Sequence, residues 1–111
     1  MSELLHFIRN TLSDRLGQDI ATIDMRKVNP FNDYYVIVTA DNLRHADAMA
    51  TRLEQEAAEK GYFMRMREGV NGSDWILLDF NEVVVHIFTD EARKKYRLES
   101  LWADQPVTRE I

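Results

Sequence analysis

The chain has 111 residues, no cysteine and a formal net charge of −5, from 19 acidic and 14 basic residues. This length suits one domain with one hydrophobic core, and the lack of cysteine excludes disulfides, thiolate metal sites and a cysteine nucleophile. The acidic balance argues against broad nucleic-acid binding and against an anionic membrane surface, since both need a basic protein face. No basic N-terminal region and no long apolar run is present, so we expect no signal peptide, no membrane span and a cytoplasmic location.

The first part of the chain predicts a helix followed by two strands. Apolar side chains recur at helical spacing over residues 2–16, and Gly17 can end that helix. Residues 20–28 alternate between apolar and polar, as in a half-buried strand, and residues 34–39 form an unbroken run of β-formers typical of a central strand. The turn-forming residues at 29–32 predict that these strands are antiparallel neighbours.

A second helix and a strand hairpin follow. The apolar stripe over residues 43–57 predicts the clearest helix of the sequence, with a cap at residue 41 or 42. A short strand around residues 64–66 precedes two strands at 75–80 and 83–88, which a two-residue turn joins in a hairpin.

The C-terminal region predicts one more helix and then loses its pattern. Thr89 can cap the helix, and residues 96–102 form a short apolar-rich element. Residues 103–111 show no periodicity. We therefore expect a single domain over residues 1–104 and a flexible, dispensable tail over 105–111.

The order of these elements is α-β-β-α-β-β-β-α. The helix between the second and third strands implies a parallel pair, and the hairpins imply antiparallel pairs. The sequence therefore predicts an α/β (α+β) domain with a mixed five-stranded sheet packed with about three helices.

The strand hairpin has two different faces. If Phe80 pairs with Val83, alternation gives one purely apolar face that must be core. Its residues are Ile76, Leu78, Phe80, Val83, Val85 and Ile87. The other face carries Trp75, Leu77, Asp79, Val84, His86 and Phe88. Three helices cover one sheet face fully and the other only partly, so part of this second face could stay open; the alternative is that the first or last helix covers it.

Large apolar groups also crowd the end of the chain. These are Tyr96, Leu98, Leu101 and Trp102. Trp and Tyr are favoured at protein interfaces because they bury a large area at low entropic cost. The alternative is that these side chains clamp the last helix onto the sheet.

The three histidines give weak signals for catalysis. His6, His45 and His86 lie on different elements without zinc-binding spacing. His86 could meet Asp79 on one sheet face, but such a pair without a nucleophile makes no catalytic triad. His45 lies near a helix N-terminus and could bind an anion, although a locally bonded side chain is the commoner outcome.

Signals for metal or phosphate binding are also weak. The stretch at 71–74 precedes a strand rather than opening a helix, so it does not form a phosphate loop. Asp24, Asp33 and Asp79 could gather around a divalent ion, but nothing in their spacing requires it. We expect no metal, no cofactor and no catalytic residue.

Several stretches together point to one protein family. They are Gly17 to Ile20, Asp33 to Thr39, Arg44-His45, Ser73 to Phe80, Val83 to Phe88, Arg93, Tyr96, Leu98-Glu99 and Leu101 to Asp104. This set spans residues 17–104 and resembles the ribosomal silencing factor family, also called RsfS or iojap. Two positions depart from the family pattern. Asn81 replaces the usual hairpin glycine and Asn42 replaces a small hydroxyl residue, but Asn suits both a positive φ and a helix cap.

The resemblance implies a function that composition cannot show. Members of the family bind the large ribosomal subunit through large-subunit ribosomal protein fourteen. They thereby block joining of the small subunit and repress translation when nutrients are scarce. Their fold is similar to the nucleotidyltransferase fold, but the family is not known for catalysis. Together with the apolar pattern, the resemblance predicts that Trp75, Tyr96, Leu98 and Leu101 form the partner contact, with Trp102 nearby. We expect Trp75→Ala and Tyr96→Ala to weaken binding and leave the unfolding midpoint nearly unchanged.

Other functions are compatible with the residues alone. One is a nucleotidyltransferase-like enzyme that uses Asp and His residues of the sheet, although it would need clustered carboxylates for magnesium. Another is a protein-binding adaptor unrelated to ribosomes. The apolar second face also suits a homodimer that must open before docking.

Overall fold

The computed structural model describes residues 2–69 and 73–109. In chain order it contains α1 (Glu3–Asp14), β1 (Gln18–Asp24), β2 (Tyr34–Ala40), α2 (Leu43–Glu59), β3 (Met66–Glu68), β4 (Trp75–Asp79), β5 (Val83–Thr89), α3 (Asp90–Tyr96), a 3-10 helix (Leu98–Trp102) and β6 (Val107–Arg109). The expected mixed α/β architecture is confirmed. The stretch at 71–74 falls partly on residues 71 and 72, which lie outside the described residues.

The helix starts follow the local sequence signals. Ser2, Asn42 and Thr89 cap the three α-helices, and each side chain accepts a hydrogen bond from a backbone N–H three residues further on. Asn81 has a φ of 75° in the turn between β4 and β5, a conformation that Asn tolerates well. Gly17 has a different role: a Cβ there would lie 2.6 Å from Cγ2 of Val38, so only glycine lets the chain pass this close to β2.

The sheet has the order β3-β4-β5-β2-β1-β6. The antiparallel pairing of β1 with β2 is confirmed, as is the hairpin of β4 and β5. The parallel neighbour of β2 is β5, not β3, so the expected parallel pair of the second and third strands is wrong. β5 is buried along most of its seven residues, whereas β3 has three residues and lies at the sheet edge. Long buried strands take the centre of a sheet because both of their faces can then be covered.

The core separates into two clusters, one on each face of the sheet. The larger cluster lies under α1 and α2 and includes the whole apolar face of the hairpin, from Ile76 to Ile87, as expected. The smaller cluster lies on the second face and contains Ile23, Met25, Ile37, Phe88 and Ala92. The unequal cover follows from the helices, because α3 has seven residues and α2 has 17.

The C-terminal residues differ from the expected flexible tail. Residues 107–109 form β6, which pairs antiparallel with residues 21–23 of β1. The carbonyl oxygen of Pro106 also accepts a hydrogen bond from the backbone N–H of Asp24. Among the residues that the structure describes, the sheet therefore has six strands rather than the expected five. A short polar strand of this kind has no periodicity of its own and is held by the hydrogen-bonding edge that β1 presents.

The structure also bears on membrane association. Within residues 2–69 and 73–109, the helices are too short or too polar to cross a bilayer.

Candidate functional site

The second face of the sheet is only partly covered. Ala92 of α3 packs with Phe88 of β5 in the smaller cluster, and the 3-10 helix follows α3 in the chain. Leu98 and Trp102 of the 3-10 helix lie partly buried against the smaller cluster, together with Trp75 of β4. Both alternatives from the sequence therefore hold in part, since the last helix covers some of this face and large apolar groups stay accessible beside it.

Trp75 is the centre of an aromatic group. Its ring centroid lies 4.9 Å from that of Tyr96, 5.0 Å from Phe88 and 6.0 Å from His86. Its Nε1 donates a hydrogen bond of 3.1 Å to Nδ1 of His86. These contacts make Trp75 both a structural support and a partly exposed surface residue.

Tyr96 and Leu101 are the more exposed members of the site. Tyr96 is 41% exposed although its ring packs on Trp75, and Leu101 is 69% exposed. The structure therefore places the five residues predicted from the sequence on α3, the 3-10 helix and the adjoining end of β4. We call Trp75, Tyr96, Leu98, Leu101 and Trp102 the aromatic surface.

A groove runs beside the aromatic surface. Trp75, Leu77 and Tyr96 form its apolar wall, and Glu68 and Asp74 supply carboxylates. Gly69 has a φ of 86°, and a Cβ at this position would lie 2.5 Å from the carbonyl oxygen of Trp75. The lining of the groove thus combines an apolar wall with negatively charged side chains.

His86 does not pair with Asp79 as the sequence suggested. Trp75 Nε1 can only donate, so Nδ1 of His86 is the acceptor and the neutral ring holds its proton on Nε2. Burial lowers the pKa of His86 to about 4, which keeps the ring neutral at physiological pH. Asp79 instead accepts a hydrogen bond from the backbone N–H of Asn81. In the β4–β5 register Leu77 lies opposite His86, which separates the two groups.

His45 is locally bonded rather than open to an anion. Its Nδ1 accepts from the backbone N–H of Asp41 at 2.9 Å, and its Nε2 donates to the carbonyl oxygen of Arg15 at 2.8 Å. The ring therefore ties the end of α1 to the start of α2, a structural role.

Two of the three carboxylates suggested as metal ligands, Asp24 and Asp79, accept hydrogen bonds from other residues of the chain. Hydrogen bonds from Arg26 lower the pKa of Asp24 to about 2. The part of the chain that the structure describes contains no group of three or more His, Cys, Asp or Glu residues arranged to hold a metal ion.

Sequence reasoning missed a ring of ion pairs that joins the 3-10 helix to α3, β1 and β6. Positive and negative side chains alternate around this ring, in the order Arg93, Glu99, Arg109 and Asp19. We call these four residues the ion-pair ring. They come from α3, the 3-10 helix, β6 and β1, and no spacing along 90 residues of chain signals that they meet. Arg93 is 8% exposed, and its Nη1 also donates to Oγ1 of Thr39 and to the backbone oxygen of Asp19.

Known proteins match both the sequence and this geometry. A ribosomal silencing factor RsfS of Haemophilus influenzae is 37% identical over 100 residues, which cover 90% of this chain and 98% of that protein. A mouse protein named mitochondrial assembly of ribosomal large subunit protein 1 is 30% identical over 90 residues, covering 78% of this chain and 39% of that protein. A crystal structure of a Chromobacterium violaceum protein superposes with a TM-score of 0.88 at 27% identity, covering 100% of this chain and 94% of that one.

The family assignment rests on the whole length of the sequence. The family described as "Ribosomal silencing factor during starvation" matches residues 1–111. With the relative from Haemophilus influenzae, this match agrees with the resemblance seen in the sequence motifs. The chain belongs to the ribosomal silencing factor family.

Proposed function

We propose that this protein docks on the large ribosomal subunit through large-subunit ribosomal protein fourteen and thereby blocks joining of the small subunit. It would act in the cytoplasm and repress translation when nutrients are scarce. The observation that carries this proposal is the aromatic surface, which lies partly open in a chain that matches the silencing factors from end to end. The name of the mouse relative also refers to the large subunit.

The charge of the protein favours docking on a protein rather than on RNA. Ribosomal RNA repels a chain with a net charge of −5, whereas basic ribosomal proteins attract it. Glu68 and Asp74 place negative charge beside Trp75 and Tyr96. A partner with an apolar anchor flanked by lysine or arginine fits this arrangement.

Silencing by this route needs no chemical step. A body bound at the face where the two subunits meet excludes the small subunit by its volume alone. The aromatic surface supplies side chains of the kind that dominate protein interfaces, where a few buried aromatic anchors contribute most of the binding energy.

Leu101→Ala tests the docking surface most directly. Leu101 is 69% exposed, so its truncation should leave the fold intact and weaken binding to purified large subunits about tenfold or more. Leu16→Ala is the matched control, because Leu16 is 71% exposed and follows α1, away from the aromatic surface.

Co-sedimentation with large subunits measures the binding, and light scattering of mixed subunits measures their joining. We expect the wild type and Leu16→Ala to bind and to inhibit joining equally. Wild-type protein that does not sediment with large subunits would refute the proposal. Equal binding by Leu101→Ala would show that docking uses another face.

A further inference from the structure

The 3-10 helix carries three of the five residues of the aromatic surface, and none of its side chains is fully buried. Each of its five residues keeps some solvent exposure, and no side chain caps its first turn. It begins after Arg97, which has a φ of 50° in the left-handed region. A short segment that follows a strained residue and lacks a buried side chain is held weakly by apolar contacts alone.

The ion-pair ring supplies the missing attachment. Glu99 is the ring member within the 3-10 helix, and each of its two carboxylate oxygens accepts from a different arginine. Oε1 accepts from Nε of Arg93 at 2.8 Å, and Oε2 accepts from Nη2 of Arg109 at 2.7 Å. Burial alone would raise the pKa of Glu99, but the hydrogen bonds and charges of the two arginines outweigh it and hold the pKa below its ordinary value. Glu99 is therefore ionised at neutral pH.

The ring is closed on the sheet by Asp19. Its Oδ1 accepts from Nη1 of Arg109 at 2.9 Å, and its Oδ2 lies 3.5 Å from Nη2 of Arg93. Asp19 has a φ of 49° and lies where the register between β1 and β2 shifts, so the backbone is bent at this point. Two arginines and two carboxylates cancel in charge, which lessens the cost of holding Arg93 in the interior.

We infer that Glu99 and Arg109 are positioning residues for ribosome docking: the ion-pair ring fixes the 3-10 helix, and thereby Leu98, Leu101 and Trp102, in the orientation that the partner binds. This inference rests on the proposed function. It gives β6 a function, since the pairing of residues 107–109 with β1 is what brings the guanidinium of Arg109 to Glu99.

Preorganisation explains how two residues outside the aromatic surface act on affinity. A segment that is already ordered loses less conformational entropy when it binds than one that must be ordered by the partner. Breaking the ring leaves Leu101 and Trp102 present but free to move. The partner must then order them, so the affinity falls although no contact residue has changed.

Arg109→Gln is the main test, because Arg109 is half exposed in the ring and its loss leaves Arg93 paired with Glu99 and Asp19. We expect binding to large subunits to weaken about threefold to tenfold. Arg15→Gln is the matched control. It removes the same charge and a comparable ion pair, between Arg15 and Glu56, which joins α1 to α2 on the opposite side of the sheet. A lower affinity that came only from altered net charge would appear in both variants.

Two further readouts separate positioning from general stability. Hydrogen exchange of residues 98–102 in the free protein should rise in Arg109→Gln and stay at the wild-type level in Arg15→Gln. Arg109→Lys, which keeps the charge, should restore part of the binding. In the double variant Glu99→Gln with Arg109→Gln, the loss should be smaller than the product of the two single losses, since both break the same contact.

The outcomes distinguish this inference from the function on which it rests. If the wild type binds large subunits and the two variants Arg109→Gln and Arg15→Gln bind them with equal affinity, the positioning role is overturned. The docking proposal is then left intact. Unchanged exchange of residues 98–102 in Arg109→Gln would also overturn it. Wild-type protein that fails to bind would refute the docking proposal, and the positioning role would fall with it.

Discussion

At the scale of single residues, Trp75 combines two roles that the sequence assigned to different residues. Its ring is part of the aromatic surface, but it also packs on Phe88 and donates to the buried ring of His86. The expectation that Trp75→Ala leaves stability nearly unchanged therefore needs revision. Tyr96 packs mainly on Trp75 itself, so its side chain contributes less to the fold.

We predict that Trp75→Ala lowers the free energy of unfolding by about 2 kcal/mol and also weakens binding to large subunits. Tyr96→Ala should weaken binding with a much smaller loss of stability. Leu78→Ala, in the buried core, should cost about 3 kcal/mol of stability and change affinity only through loss of folded protein. Chemical denaturation together with co-sedimentation measures both effects. A Tyr96→Ala protein as unstable as Leu78→Ala would show that Tyr96 belongs to the core.

His86 should make stability depend on pH in a defined window. Its pKa is about 4 in the folded protein and near 6.5 when unfolded, so the unfolded chain binds more protons between these values. The contribution of the neutral ring is therefore complete above pH 6.5 and is lost as the pH falls toward 4. We expect a loss of about 2 kcal/mol between pH 7 and pH 5.

The control for this effect is His86→Gln, which can still accept from Trp75 but does not titrate. Denaturant unfolding at pH 7 and pH 5 should show a clearly smaller pH dependence for this variant. Equal slopes in the two proteins would mean that another group causes the loss.

At the scale of elements, β6 is the main departure from the sequence prediction. Truncation after Asp104 removes the pairing of residues 107–109 with β1, the hydrogen bond to Pro106 and the ion pairs of Arg109. We predict a loss of about 2 kcal/mol of stability, because each of these hydrogen bonds contributes about 1 kcal/mol or less at an exposed edge. Binding to large subunits should fall as well.

Thermal unfolding of the truncated chain and of full-length Arg109→Gln separates the contribution of the β6 pairing to stability from that of the Arg109 charge. The truncation should be the less stable of the two. A truncated chain with the wild-type midpoint would restore the original expectation of a dispensable tail.

At the scale of the whole molecule, two ionisable side chains of the sheet that could suggest catalysis are bonded within the fold. Asp79 accepts from the turn at Asn81, and His86 is neutral and buried against Trp75. We predict that the purified protein transfers no nucleotide in the presence of magnesium and ATP. Turnover of ATP that disappears in Asp79→Asn would contradict this and favour the nucleotidyltransferase-like enzyme.

The helices, the antiparallel β1–β2 pair and the β4–β5 hairpin could be predicted from sequence because their signals are local or periodic. The caps at Ser2, Asn42 and Thr89 satisfy helix N–H groups within three residues, and the two-residue turn fixes the register of the β4–β5 hairpin. That register in turn divides the hairpin into a core face and a second face. The membership of the aromatic surface followed from the same alternation and from the family resemblance.

The amino-acid sequence by itself determined which residues are buried under α1 and α2, where the helices begin, and which large apolar groups have no place in that core. The tertiary structure alone decided that β5 rather than β3 adjoins β2, that residues 107–109 pair with β1, and that the ion-pair ring closes behind the 3-10 helix. The physical reason is the range of the interactions. Caps, turns and periodicity act over a few residues, whereas strand order and ion pairs between Asp19 and Arg109 depend on where distant segments meet after the core has formed.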